Sequence, residues 1–180
     1  MKDTIRLGVT LLLICVVAAL VLALSNNATK GVIAEQALQE SLKLVKEIFG
    51  EDNEFEMYEG AKLEEITSKI PGVIDVFKVS KSGNTTGYAI KTEASGYKPG
   101  IIILSGINSD GNINGVRVLS HQETSGIGTN ALTTEHLSQY DGLNIDANDS
   151  VDAVSGATRT SNGVDKGVKI AIDAYKSLQE

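Results

Sequence analysis

Val73-Ile74-Asp75-Val76-Phe77-Lys78-Val79, Thr85-Thr86-Gly87-Tyr88-Ala89-Ile90-Lys91-Thr92-Glu93-Ala94, Gly100-Ile101-Ile102-Ile103-Leu104-Ser105-Gly106-Ile107 and Ile113-Asn114-Gly115-Val116-Arg117-Val118-Leu119 are four runs rich in Val, Ile, Tyr and Thr. Lys81-Ser82-Gly83-Asn84 and Asn108-Ser109-Asp110-Gly111-Asn112 punctuate them with residues that favour tight turns. Consecutive strands joined this closely predict two hairpins and an antiparallel sheet, which needs helices to cover it. The expected fold class is therefore α+β, an antiparallel sheet with flanking helices. A dinucleotide fold is not indicated: Gly126-Ile127-Gly128 lacks the third glycine and the strand-to-helix setting, and no Walker loop occurs.

On the N-terminal side, Val32, Ile33, Leu38, Leu42, Val45, Ile48 and Phe49 recur at helical spacing and predict a helix that ends near Gly50. Glu51-Asp52-Asn53-Glu54 follows as an acidic connection, expected to be a solvated loop. Leu7 to Leu24 carries no charge and reaches the length a helix needs to cross a bilayer. Lys2 and Arg6 precede it and only Lys30 soon follows, which puts the N-terminus in the cytoplasm and everything after Leu24 outside. The run also admits a cleaved signal peptide, because Val21-Leu22-Ala23 resembles a cleavage site. An uncleaved anchor is preferred, since the run exceeds the usual signal-peptide core of about 7–15 residues. The expected organisation is a cytoplasmic N-terminus over 1–6, one N-terminal transmembrane helix over 7–24, an extracytoplasmic linker helix over 25–50 and a single domain over 51–180.

Composition narrows the function. A net charge of −7 with no basic patch in the linear sequence argues against a nucleic-acid partner, which requires a cationic face. Cys15, the only cysteine, lies in the apolar run, so no intrachain disulfide and no cysteine-held zinc or iron–sulfur site can be built. His121 and His136 are the only histidines, and no nucleophile motif accompanies them. Redox chemistry would need an organic cofactor or a partner.

On the C-terminal side, Val164, Val168, Ala171, Ile172 and Tyr175 share one face of a helix. Just ahead of it stands Asp152-Ala153-Val154-Ser155-Gly156-Ala157-Thr158-Arg159-Thr160-Ser161-Asn162-Gly163. Free N–H groups and the positive end of the helix dipole favour an anion at such a start, and Gly156 and Ala157 leave room for a phosphate. The same residue types also serve as plain caps, a role open to Thr160 and Ser161. Earlier in the chain, His121-Gln122-Glu123-Thr124-Ser125-Gly126-Ile127-Gly128-Thr129 is a polar loop before a helix seeded by Ala131, Leu132 and Leu137.

Ser155-Gly156-Ala157-Thr158-Arg159-Thr160-Ser161, preceded by Asp152, resembles the flavinylation motif of the FMN-binding domain in the G subunit of the Rnf electron-transport complex. The related C subunit of the Na+-translocating NADH:quinone reductase carries the same signature. The 121–128 loop is similar to the family's His-x-Glu-Thr-Pro-Gly-Leu-Gly loop, with Ser125 and Ile127 in place of proline and leucine. Gly96-Tyr97 falls where the family has a Gly-Tyr turn. The resemblance implies a phosphoester between FMN and Thr158, a phosphate cradle of Ser155, Gly156 and Ala157, and a loop of Glu123, Thr124, Gly126 and Gly128 against the flavin, Gly126 allowing close approach. Arg159 either offsets phosphate charge or is a solvated cation. It further implies an electron-transfer subunit in the cell (inner) membrane, in a complex that moves electrons between ferredoxin and NAD+ and translocates Na+ or H+. Its implied partners are multi-span and iron–sulfur subunits and, for maturation, a flavin transferase that uses FAD and Mg2+. The alternatives are a membrane-anchored flavin module for sensing or assembly and the related C subunit of the Na+-translocating NADH:quinone reductase.

Overall fold

The computed structural model describes residues 2–147 and 151–179. Met1 of the expected cytoplasmic segment, and residues 148–150 and Glu180 of the expected domain, lie outside them. The chain divides into two units, Met1–Glu40 and Ser41–Glu180.

Helix α1, Lys2–Phe49, is one continuous helix that begins in the first unit and ends in the second. It is long and apolar enough to cross a membrane. Its Leu, Ile and Val side chains between Leu7 and Leu24 are all exposed, an apolar surface that water would not tolerate over such a length.

The second unit is built on one five-stranded sheet. Its strands are β1 (Glu54–Met57), β2 (Val73–Lys81), β3 (Asn84–Ala94), β4 (Ile101–Asn108) and β5 (Ile113–Ser120). They lie in the order β1-β2-β3-β4-β5, every neighbour antiparallel, so the two expected hairpins are joined into a meander. β1 corrects the reading of Glu51–Glu54 as loop only: Glu54 pairs with Ser80 and Phe55 with Val79. Four residues are too few to show a period, and the pairing with β2 supplies what the local pattern lacks. Helix α2, Ala61–Lys69, links β1 to β2.

The C-terminal helix, Thr158–Gln179, covers one face of the sheet; with a short α3 described below, it is α4. Val164, Val168, Ala171, Ala174 and Tyr175 pack there on Tyr88, Ile90, Ile101, Ile103, Ile107 and Val116. A Cβ on Gly167 would stand 2.5 Å from Ile103 Cδ1, and Thr92 Oγ1 donates to Gly167 O at 3.1 Å, so the helix lies almost on the strands. At its far end Tyr175 Oη donates to Asn108 O. The other face receives the C-terminal turns of α1. Ile48 and Phe49 sit over Gly106, where a Cβ would come within 2.5 Å of Ile48, and Val45, Phe77, Val79, Ala89 and Leu104 are buried on that side. Both faces are thus covered, which accounts for the nearly continuous burial along β3 and β4.

The helix expected around Ala131 to Leu137 is instead three short pieces: a 3-10 turn Gly128–Leu132, helix α3 (Thr134–Leu137) and a 3-10 turn Ser138–Tyr140. Thr133 separates the first two in extended geometry, its hydroxyl accepting from His136 N–H as an N-cap.

Candidate functional site: a cleft at the start of α4

β3 ends, β4 begins and β5 ends at one edge of the sheet, because Ala94 pairs with Ile101 and Ile102 with Ser120. The 95–100 turn and the 121–127 loop therefore leave the sheet together. α4 begins beside them. The three segments enclose a cleft of about 470 Å3 lined by Tyr97, Glu123, Thr124, Ile127, Gly128, Gly156, Ala157, Thr158, Arg159 and Thr160.

The α4 side starts with a turn closed by Ala157 N–H to Val154 O at 2.9 Å. Gly156 is its third residue with φ +80°, the left-handed geometry that glycine adopts at least cost. The first i→i−4 bond runs from Ser161 N–H to Ala157 O, so Thr158, Arg159 and Thr160 form the opening turn with N–H groups that have no carbonyl a turn behind them. Thr158 is exposed, its hydroxyl reachable from solvent. Thr160 and Ser161 are not caps. Both are buried: Thr160 Oγ1 donates to Glu123 Oε2 at 3.0 Å, while Ser161 Oγ accepts from Val154 N–H and donates to Ala157 O. Their hydroxyls tie the preceding segment and the loop to the helix, because the side chains point back along it into the fold.

On the loop side, Glu123 is buried, only 7% exposed. Its second oxygen, Oε1, accepts from Lys98 N–H at 2.9 Å. One carboxylate thus joins the β3–β4 turn, the loop after β5 and α4. No bulk separates them: a Cβ on Gly128 would stand 2.6 Å from Glu123 Oε2, one on Gly96 2.7 Å from Glu123 Oε1, and one on Gly163 2.7 Å from Gly96 Cα. The loop around Ser125 is held by its own bonds. Gly126 N–H donates to Thr129 Oγ1, Asn130 Nδ2 to Gly126 O, and Thr129 N–H to Thr124 O.

Of the expected site residues, the structure brings Glu123, Thr124, Gly128, Gly156, Ala157 and Thr158 to the cleft, and leaves Ser155 and Gly126 outside its lining. Ser155 is exposed on the turn before α4. Gly126 has nothing within 4 Å of a Cβ and a φ of +74°, which favours glycine there, while Gly128 stands close against Glu123. Four further residues complete the lining. Tyr97 and Ile127 are apolar side chains left 65% and 57% exposed at the cleft, and the Arg159 guanidinium lies over the Tyr97 ring, 5.8 Å from its centroid. An exposed aromatic and an exposed isoleucine carry no periodic signal; only Tyr97's place in the Gly-Tyr turn could have marked it. Thr160 is hidden in the sequence by its likeness to a cap. His121 is exposed outside the lining.

His136 belongs to a separate cavity of about 220 Å3, shared with Tyr140, Asn162, Asp165 and Lys169. Its Nδ1 lies 3.2 Å from Gln139 Nε2, and among the described residues its buried Nε2 has no hydrogen-bond partner. Burial holds its pKa below the ordinary imidazole value.

A meander backed by a C-terminal helix whose hydroxyl-bearing first turn opens into a cleft defines a class, and residues 96–173 match the family described as FMN-binding domain. The crystal structure of Shewanella oneidensis NqrC shares this fold, with a TM-score of 0.54 at 19% identity over 74% of this chain and 87% of that one. Residues 1–48 match the family described as RnfG N-terminal region. The G subunit of the Na(+)-translocating ferredoxin:NAD(+) oxidoreductase complex of Acetobacterium woodii is 30% identical, over 99% of this chain and 95% of its own. The G subunit of the ion-translocating oxidoreductase complex of Methanosarcina acetivorans is 33% identical, over 99% and 97%. The chain belongs to this family, the G subunits of ion-translocating oxidoreductase complexes.

Proposed function

We propose that the chain is the membrane-anchored, FMN-carrying electron-transfer subunit of an ion-translocating ferredoxin:NAD+ oxidoreductase complex, with FMN joined to Thr158 through a phosphoester. The observation that carries this reading is the convergence of two motifs 30 residues apart on one cleft, with an exposed threonine hydroxyl at a helix start on its rim. The cleft suits the cofactor. Its volume lies within the ~300–1,000 Å3 of small-molecule sites, the first-turn N–H groups favour a phosphate, and Tyr97 and Ile127 offer apolar surface to a flat ring. FMN, when bound, supplies the electron-accepting and electron-donating chemistry.

The residues of the chain bind, orient and shield. Thr158 would provide the tether, and the free N–H groups of Thr158, Arg159 and Thr160 would hold the phosphate with the ~+0.5 charge of the helix end behind them. Arg159 adds a cation beside Tyr97. Glu123 and Thr124 line the opposite side, where Gly128 leaves room. A threonine hydroxyl is a weak nucleophile, so phosphoester formation requires an activating enzyme, a flavin transferase using FAD and Mg2+. Such an enzyme needs Thr158 accessible, as it is. α1 anchors the subunit beside its multi-span and iron–sulfur partners, its N-terminus cytoplasmic. One span with no charge between Leu7 and Leu24 leaves ion passage to those partners.

The test is co-production of the full chain with a flavin transferase. The wild type should give flavin fluorescence that survives denaturing electrophoresis, with one FMN, less water, on the peptide containing Thr158. Thr158→Val should lose it entirely and Thr160→Val should keep it. Label persisting in Thr158→Val, or a competent transferase leaving the wild type unlabelled, overturns the assignment.

A further inference from the structure

The function just proposed assigns Glu123 no task beyond lining the cleft, yet among the described residues no other carboxylate lines it. Burying a carboxylate is costly unless hydrogen bonds hold it, and here both oxygens are held, by Lys98 N–H and Thr160 Oγ1. Three glycines, Gly96, Gly128 and Gly163, are packed so closely around this point that any Cβ would meet a neighbour within 2.7 Å. The carboxylate also faces the N-terminal end of α4, where negative charge is favoured. A neutral glutamine could fill the space, keep the Lys98 bond and reverse the direction of the Thr160 bond. Its Oε1 would accept from Lys98 N–H, and its Nε2 would donate to Thr160 Oγ1. The packing alone does not explain an acid.

We propose that Glu123 is a positioning residue whose fixed negative charge sets the redox potential of the cleft. The inference rests on the flavin reading above. Reduction by an external donor, dithionite in the test, delivers two electrons and takes one proton from water, so the cofactor ring gains one net negative charge. A carboxylate on the cleft wall opposes that gain. It lowers the potential, biasing the site towards passing electrons on rather than retaining them.

The experiment is a spectroscopic dithionite titration, against a reference dye, of the covalently labelled full chain in detergent. Wild type, Glu123→Gln and Thr160→Val are compared, each also melted. Glu123→Gln removes the charge while keeping the volume and the Lys98 bond, and reverses the direction of the Thr160 bond. It should raise the midpoint so that, at a fixed ambient potential, the ratio of reduced to oxidised cofactor rises about tenfold, ~30 mV for a two-electron couple. Its melting temperature should stay near that of the wild type. Thr160→Val keeps the charge and removes one hydrogen bond, so it should lower the melting temperature and move the midpoint by much less than Glu123→Gln does. A labelled Glu123→Gln whose midpoint is unchanged or lower overturns this inference alone. So does an equal shift in Thr160→Val, which would make the effect one of packing. An unlabelled wild type overturns the flavin reading, and this inference with it. Should Glu123→Gln fail to fold, the double variant Glu123→Ala/Thr160→Val removes the acceptor together with its hydroxyl donor and carries the same expected rise.

Discussion

At the scale of single residues, the fold buries Glu123 and His136 for different ends. Glu123 is paired on both oxygens and lines the cleft; His136 lies 4% exposed with its Nε2 unpartnered among the described residues. Burial lowers the pKa of His136, so the folded state resists the proton that the unfolded chain accepts near its ordinary value of about 6.5. The sign follows directly. The contribution of neutral His136 is fully present above the unfolded value and is lost as pH falls below it towards the folded value. Between about pH 7.5 and 5.5 the wild-type melting temperature should therefore fall, and His136→Gln should flatten that dependence while lowering stability at the upper end by about 1 kcal/mol or less. Thermal melts across that range check it. An equally steep profile in His136→Gln would assign the effect elsewhere.

Among the elements, α4 decides the site, because it supplies both the sheet's cover and the cleft's threonine. Its approach is set by glycines at a four-residue spacing, Gly163 over Gly96 and Gly167 over Ile103. Helix propensity alone favours Gly→Ala in a helix interior by about 1 kcal/mol. Here the outcome should reverse for Gly163→Ala, since the new Cβ meets backbone, Gly96 Cα at 2.7 Å and Ser95 O at 2.9 Å, neither able to rotate away. We expect a loss of about 1–3 kcal/mol, the usual cost of overpacking, read as a melting midpoint lower by several degrees. A stabilised Gly163→Ala would show that α4 stands further from the 95–100 turn. The short pieces from Gly128 to Tyr140 follow the opposite logic. They bury Ala131, Leu137 and Tyr140 as separate anchors, which a single helix face could not bring inward together.

For the whole molecule, the proposed topology rests on the uncharged Leu7–Leu24 run and the excess of Lys2 and Arg6 before it. Protease added to spheroplasts should digest the domain beyond Asn26, with the full-length chain held in the membrane fraction before digestion. Protection of that domain, or recovery of a soluble chain lacking residues 1–23, would reverse the orientation or make the run a cleaved signal. An extracytoplasmic cleft also fits maturation, because the exposed Thr158 would then meet its transferase on that side.

The sequence by itself determined the periodic parts: the apolar helix from Leu7, the four strands with their turn residues, and the amphipathic face of α4. Each repeats a simple rule over many residues, so local sums of propensity and burial decide it. It also showed, through resemblance, which threonine to watch. Tertiary structure alone decided the rest. β1 exists because β2 offers it a ladder, and Thr160 and Ser161 became buried ties rather than caps because α4 has already begun at Thr158, ahead of both. Tertiary structure also decided that Gly126 takes a left-handed φ while Gly128 stands against Glu123. Tyr97, Arg159 and Glu123 lie 26 to 62 positions apart along the chain. The pairing of β3, β4 and β5 brings the loops of Tyr97 and Glu123 together and the packing of α4 adds Arg159, a meeting that depends on register across three strands and that no local pattern records.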